Sequence, residues 1–179
     1  EVRAAMVMHL WIDAKGKLLR YKPSRALIKS AARLTYEQVQ AAKDGNTDAT
    51  TDTLMEDVIH PLYAAYEILD GARQKRGALD LDLPERKIII NDKGEMAGVT
   101  RRIRLDSHKL IEEFMVLANV AAAKALEDKN APCVYRIHDK PAEDRLQSVR
   151  EFVEGFGLNF PAGQVVKPAA LNGLLKQAK

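Results

Sequence analysis

The stretch Leu105-Asp106-Ser107-His108-Lys109-Leu110-Ile111-Glu112-Glu113-Phe114-Met115-Val116-Leu117-Ala118-Asn119-Val120-Ala121 decides how this chain is read. Leu110, Ile111, Phe114, Leu117, Ala118 and Ala121 recur at spacings of three and four, the period of an α-helix with one wide apolar stripe. Asp106 stands where an N-cap is expected, and the pattern predicts a helix running to about Asp128. A stripe that wide must be covered, so the helix is expected to pack deep in the body with the remaining elements around it.

Working outward towards the N-terminus, Val2 to Ile12 and Lys17 to Ile28 read as two strands joined by the turn Asp13-Ala14-Lys15-Gly16. Pro23 lacks a ladder donor and is expected to mark an edge or a bulge. Thr35-Tyr36-Glu37-Gln38 has capping-box spacing, which predicts a short helix to about Lys43 that stops at Gly45. Residues Asp44 to Thr53 are polar and aperiodic, a surface loop. From Thr53 to Arg76 a long helix is expected, with Leu62, Tyr66, Leu69 and Arg73 at helical spacing, a kink or restart at Pro61, and closure at Gly77.

Leu79 to Leu83 and Arg86 to Asn91 read as short strands, and Asp92-Lys93-Gly94 turns into another from Glu95 to Leu105. Beyond the central helix, Cys133 to His138 reads as a buried strand. Pro141 opens a helix with Leu146, Val149, Phe152 and Val153 on one face, and a last short helix begins near Pro168. The order of elements argues an α+β fold, a mixed and mainly antiparallel sheet packed against several helices.

Composition fits this. Of 179 residues, 46 % are hydrophobic and 30 % charged, so a core is affordable and disorder over the whole length is excluded. The formal net charge of +3 permits a polyanionic partner without demanding one. No apolar run approaches the ~20 residues of a membrane span. The single cysteine, Cys133, forms no internal disulfide, which fits a reducing cytoplasmic setting. The chain opens without a methionine, directly in strand-like sequence, and is expected to belong to something longer; no secretory pattern opens it.

Several residues carry candidate chemistry. Glu112 and Asn119 share a helix face beside Met115 and Val116 and would present hydrogen-bonding groups into a cleft; alternatively, Glu112 is an acid near the positive end of a helix, worth ~0.3–1 kcal/mol. His108 and Glu112 are four apart, a metal-ligand spacing, but the other His residues at 9, 60 and 138 supply no obvious third ligand. Asp80 and Asp82 alternate on a strand and suit either magnesium or a solvated face. The clusters Arg73, Lys75, Arg76 and Arg101, Arg102, Arg104 suit either phosphate contacts or a solvated surface. Tyr36 could stack on a base or staple a helix to the core. No phosphate loop, dinucleotide-binding glycine pattern or serine elbow is present.

Three stretches together add a resemblance: Ala32-Arg33-Leu34-Thr35-Tyr36-Glu37-Gln38-Val39-Gln40, Arg76-Gly77-Ala78-Leu79-Asp80-Leu81-Asp82-Leu83-Pro84-Glu85, and Leu105 to Met115 continuing through Ala118-Asn119 to Tyr135-Arg136-Ile137-His138. In order and spacing they resemble the central part of the catalytic RNB domain of the ribonuclease R and ribonuclease II family, over almost the whole chain. The resemblance implies a processive 3′-to-5′ exoribonuclease that releases nucleoside 5′-monophosphates, with aspartate-bound Mg2+ activating water. It implies that Tyr36 lies against the terminal nucleotide, Glu112 beside the terminal ribose, and Arg136 and His138 near the path of the RNA.

The departures shape the expectation. The family's magnesium-binding aspartates would precede Glu1, and Asp80 and Asp82 do not match them; its catalytic arginine segment would follow Lys179. Leu81 stands where many relatives carry a phenylalanine that grips bases. Residues 1–179 are therefore expected to be a single, partial RNB domain that binds single-stranded RNA, holds no metal and is inactive alone. A non-catalytic RNA-binding module on the same fold is the alternative.

Overall fold

The computed structural model describes residues 1–79, 85–160 and 168–178. Helix α4, Asp106–Glu127, packs against two of the helices and the first ribbon that precede it. Before it come the strands β1 (Val2–Ile12) and β2 (Leu18–Lys29), helices α1 (Tyr36–Lys43), α2 (Ala49–Asp52) and α3 (His60–Arg76), and strands β3 (Glu85–Ile90) and β4 (Met96–Arg102). After it come α5 (Glu143–Glu154) and α6 (Pro168–Gln177). The fold is α+β, and its described strands form two separate antiparallel ribbons, β1-β2 and β3-β4.

The β1-β2 ribbon keeps an unbroken register through Pro23, which lies opposite Met8; the irregularity falls instead between Trp11 and Ile12. A two-stranded ribbon leaves each strand one open edge, so a proline facing outward loses no bond. At the tip, Asp13 accepts hydrogen bonds from the N–H groups of Lys15 and Lys17 at 2.8 and 2.9 Å. Gly16 adopts φ +76°, and a Cβ there would lie 2.7 Å from Ala72 Cβ and 2.9 Å from the Ile68 carbonyl oxygen. Only glycine therefore lets the turn sit against α3. Farther along, the Tyr21 hydroxyl donates to Asp128 just past α4.

Thr35 and Gln38 form the expected capping box. The polar stretch after α1 differs from its reading as a loop, because Asp48 accepts from the N–H groups of Thr50 and Thr51 and starts α2, with Thr51 fully buried. The following helix is interrupted as expected: a π-helical turn, Met55–Ile59, precedes α3, and Pro61 sits in the first turn of α3, where no donor is missed. Gly77 ends α3 in the left-handed region at φ +69°.

Ala42, Ile59, Tyr63, Tyr66 and Leu110 form the core, with Val39, Leu54, Met55 and Phe114 packed against it. Each such aliphatic or aromatic side chain removed from water contributes about 1.5–3 kcal/mol. The core therefore lies where α1, α3 and the first half of α4 converge. The stripe is covered unevenly: Leu110 and Ala121 are buried, Phe114, Leu117 and Ala118 are partly buried, and Ile111 stays exposed.

Two other expectations are corrected. Cys133 to His138 is no strand, and Val134 is fully exposed, since among the described residues no strand edge pairs with it. On α5 only Val153 is buried; Phe152 is exposed and packs on Phe156 at 5.1 Å between ring centres. The accessible surface is 14271 Å2, against roughly 8,700 Å2 for a compact monomer of this mass. Much apolar side chain, including Ile88, Ile89 and Ile90 on β3, thus remains in water.

Candidate functional site

The start of α4 is where sequence and core bring candidate residues together. Leu105 is the N-cap with extended backbone at φ −80° and ψ 160°, and Asp106, expected as the cap, is instead the first helical residue. The Leu105 N–H donates to His108 Nδ1 at 3.2 Å, so a side chain from the third helical position closes the cap backwards. Accepting at Nδ1 places the imidazole proton on Nε2. Asp106 pairs with Lys43 at 3.0 Å and Lys109 at 3.2 Å, and the Lys43 ammonium is the main cause holding its carboxyl below the ordinary value. Acid in this first turn also suits the helix dipole.

Two bonds from Ser107 tie α1 to α4. Its Oγ donates to the Tyr36 carbonyl oxygen at 2.9 Å, and its N–H donates to Gln40 Oε1 at 3.2 Å. These fix the backbone of Tyr36. Its ring then stacks on His108, with centres 4.1 Å apart and planes 19° apart. Tyr36 also lines an apolar cavity of about 200 Å3 with Leu34, Val39, Leu62, Leu110 and Ile111, among others. His108 is not among the residues that line it. Glu37, the next residue, has its carboxyl held low chiefly by its own backbone N–H, then by Thr35, with lesser contributions from His108 and Lys87.

The paired glutamates separate. Glu113 is buried and accepts from Arg73 Nη1 of α3 at 3.0 Å, while Glu112 is half exposed and pairs with Arg104. Glu112 lies one helical turn beyond His108, on the same side as the Tyr36 stack. Asn119 is exposed farther along the same helix. Arg136 and His138 are exposed between α4 and α5, with no hydrogen bond or ion pair among the described residues. Asp80, Leu81 and Asp82 lie outside the described residues. Ser107, Gln40 and Arg73 lacked any sequence signal as partners here, because their contacts span 40 to 71 positions.

Among the described residues His108 and Glu112 do not form a metal site. His108 Nδ1 accepts in the cap, and one oxygen of Glu112 pairs with Arg104. Among the described residues, no three His, Cys, Asp or Glu side chains gather around one point. Nor is any described helix long and apolar enough to cross a membrane. What the arrangement offers is a held aromatic ring, an apolar recess and a nearby carboxylate, the elements of a site for a base and its sugar.

Residues 1–178 match the family model described as the RNB domain, and the chain belongs to that family. It is 38 % identical over 177 residues to ribonuclease R of Vibrio parahaemolyticus, covering 98 % of this chain and 21 % of the relative. Ribonuclease R of Escherichia coli is 35 % identical over 175 residues, 97 % of this chain and 22 % of that protein. The chain thus spans about a fifth of the length of these relatives. The fold resembles Mycoplasma genitalium RNase R in complex with ribose methylated single-stranded RNA, with a TM-score of 0.86 at 24 % identity over 99 % of this chain and 28 % of that one. The same protein in complex with double-stranded RNA gives the same TM-score and covers 32 % of that chain.

Proposed function

We propose that this chain is the part of a ribonuclease R-type 3′-to-5′ exoribonuclease that receives the end of an RNA strand. Tyr36 stacks on the terminal base, and Glu112 accepts a hydrogen bond from the terminal ribose. Family membership and the RNA-bound relatives support the reading. The observation that carries it is the half-exposed ring of Tyr36, anchored through its backbone to Ser107 and held flat against His108 beside an apolar recess.

Hydrolysis to nucleoside 5′-monophosphates with magnesium belongs in this proposal to the whole protein, which works in the cytoplasm. No step of it is placed on this chain, whose described residues gather no ligand set for the ion.

Fluorescence anisotropy with a short single-stranded RNA tests the reading. Tyr36→Ala is expected to weaken binding by about 1–3 kcal/mol, the worth of one base–aromatic stack. Glu112→Ala is expected to erase any preference for a terminal ribose over a terminal deoxyribose. Incubated with magnesium and RNA, the chain alone is expected to leave the RNA intact. Unchanged binding by both variants would defeat the assignment, and robust processive degradation would refute the division of labour.

A further inference from the structure

We infer that His108 is a positioning residue: its imidazole backs one face of Tyr36, sets the plane of that ring, and leaves it one free face for a single base. The inference rests on the reading of Tyr36 as an RNA contact. A half-exposed tyrosine normally rotates about two side-chain bonds and loses that freedom when a base settles on it. Here much of the loss is already taken, because the ring lies at 4.1 Å from an imidazole that is itself hydrogen-bonded to the backbone.

His108 is fixed from its other side by the hydrogen bond from the Leu105 N–H to Nδ1 at 3.2 Å. The Tyr36 backbone hangs from the adjacent residue, Ser107, at 2.9 Å. Both rings are therefore set by one turn of a helix, and helices hold such geometry better than loops. With one face covered by protein, Tyr36 accepts one base and does not intercalate between two. The site thus takes a single stacked nucleotide at the RNA terminus.

Two substitutions separate the ring from the cap. His108→Asn keeps an acceptor near the Nδ1 position and loses the ring; His108→Phe keeps a flat ring and loses the acceptor. Binding is read by anisotropy on an RNA ending in adenosine and on the same RNA ending in an abasic ribose, with melting midpoints measured alongside. His108→Asn is expected to weaken binding of the adenosine-ended RNA by about 2- to 12-fold, the equivalent of one aromatic pair, and to leave the abasic RNA unchanged. His108→Phe keeps a stacking ring without its tether, so it is expected to lose less than His108→Asn on the adenosine-ended RNA, to leave the abasic RNA unchanged, and to melt lower. If His108→Asn melts below the assay temperature, His108→Gln takes its place.

Equal losses on both RNAs, no loss with His108→Asn, or a loss with His108→Phe matching that of His108→Asn would each reduce His108 to a helix cap and overturn the inference. Failure of the underlying reading looks different: the wild type then binds neither RNA, or Tyr36→Ala binds the adenosine-ended RNA as the wild type does.

Discussion

Glu112 and Glu113 are neighbours with opposite environments, and replacing each by alanine gives a sharp test of what holds α3 to α4. The Glu113 side chain is 8 % exposed and its partner Arg73 20 %, with 3.0 Å between the charged atoms. Removing one member of a fully buried pair costs about 3–5 kcal/mol because the other charge is stranded. Arg73 keeps some contact with water and an interaction besides Glu113, so a smaller loss, about 1.5–3 kcal/mol, the worth of a hydrogen bond between charged groups, is expected for Glu113→Ala. Glu112 is 47 % exposed beside Arg104 at 26 %. Water already screens that pair, and Glu112→Ala should cost about 0–1 kcal/mol. Urea unfolding followed by circular dichroism reads both, with the slope unchanged if only stability moves. Added salt should shrink the small effect and spare the large one. If Glu112→Ala destabilises as much as Glu113→Ala, or Glu113→Ala costs under about 1 kcal/mol, the burial argument for the second acid is wrong.

Two further outcomes concern pH. Burial raises the phenols of Tyr63 and Tyr66 from 10.0 to about 12, so their neutral forms stabilise the fold fully below pH 10 and that contribution is lost as pH rises through about 12. Phenolate absorbance and thermal melts should show late-ionising tyrosines whose titration coincides with unfolding; titration of every tyrosine near the ordinary value in a folded chain would contradict this. At the acid end the sign reverses. The Asp106 carboxyl lies below its ordinary 3.8, chiefly through Lys43, so its contribution is complete above that pH and falls away as pH drops through the lowered value. Lys43→Met should therefore flatten the loss of stability between neutral and strongly acid pH, and parallel urea-midpoint curves for the two proteins would count against the pair.

Elements whose signals are local were legible in the sequence. The Thr35–Gln38 box, the restart at Pro61, the stop at Gly77 and the length of α4 each follow from residues within one or two turns of each other. What escaped depends on partners far away or missing. Val134 and Ile137 have the composition of a buried strand, yet an apolar run becomes a strand only where an edge is open to receive it. Thr51 at the third position of α2 replaces the usual Glu or Gln of a capping box, so a short helix with one buried residue passed for a loop. At the site, Tyr36, His108 and Glu112 each drew notice separately. The tether from Ser107 and the face-to-face ring stack join Tyr36 to residues 71 and 72 positions away and leave no periodic trace.

The seat of Gly16 against Ile68 and Ala72 ties the tip of the first ribbon to α3, while both of its strands touch α4 and Tyr21 clasps Asp128 roughly 17 Å from the turn at ~3.3 Å per residue. A single added methyl, as in Gly16→Ala, would have to push the tip off α3, and the contacts with α4 would register the movement although nothing near them had changed.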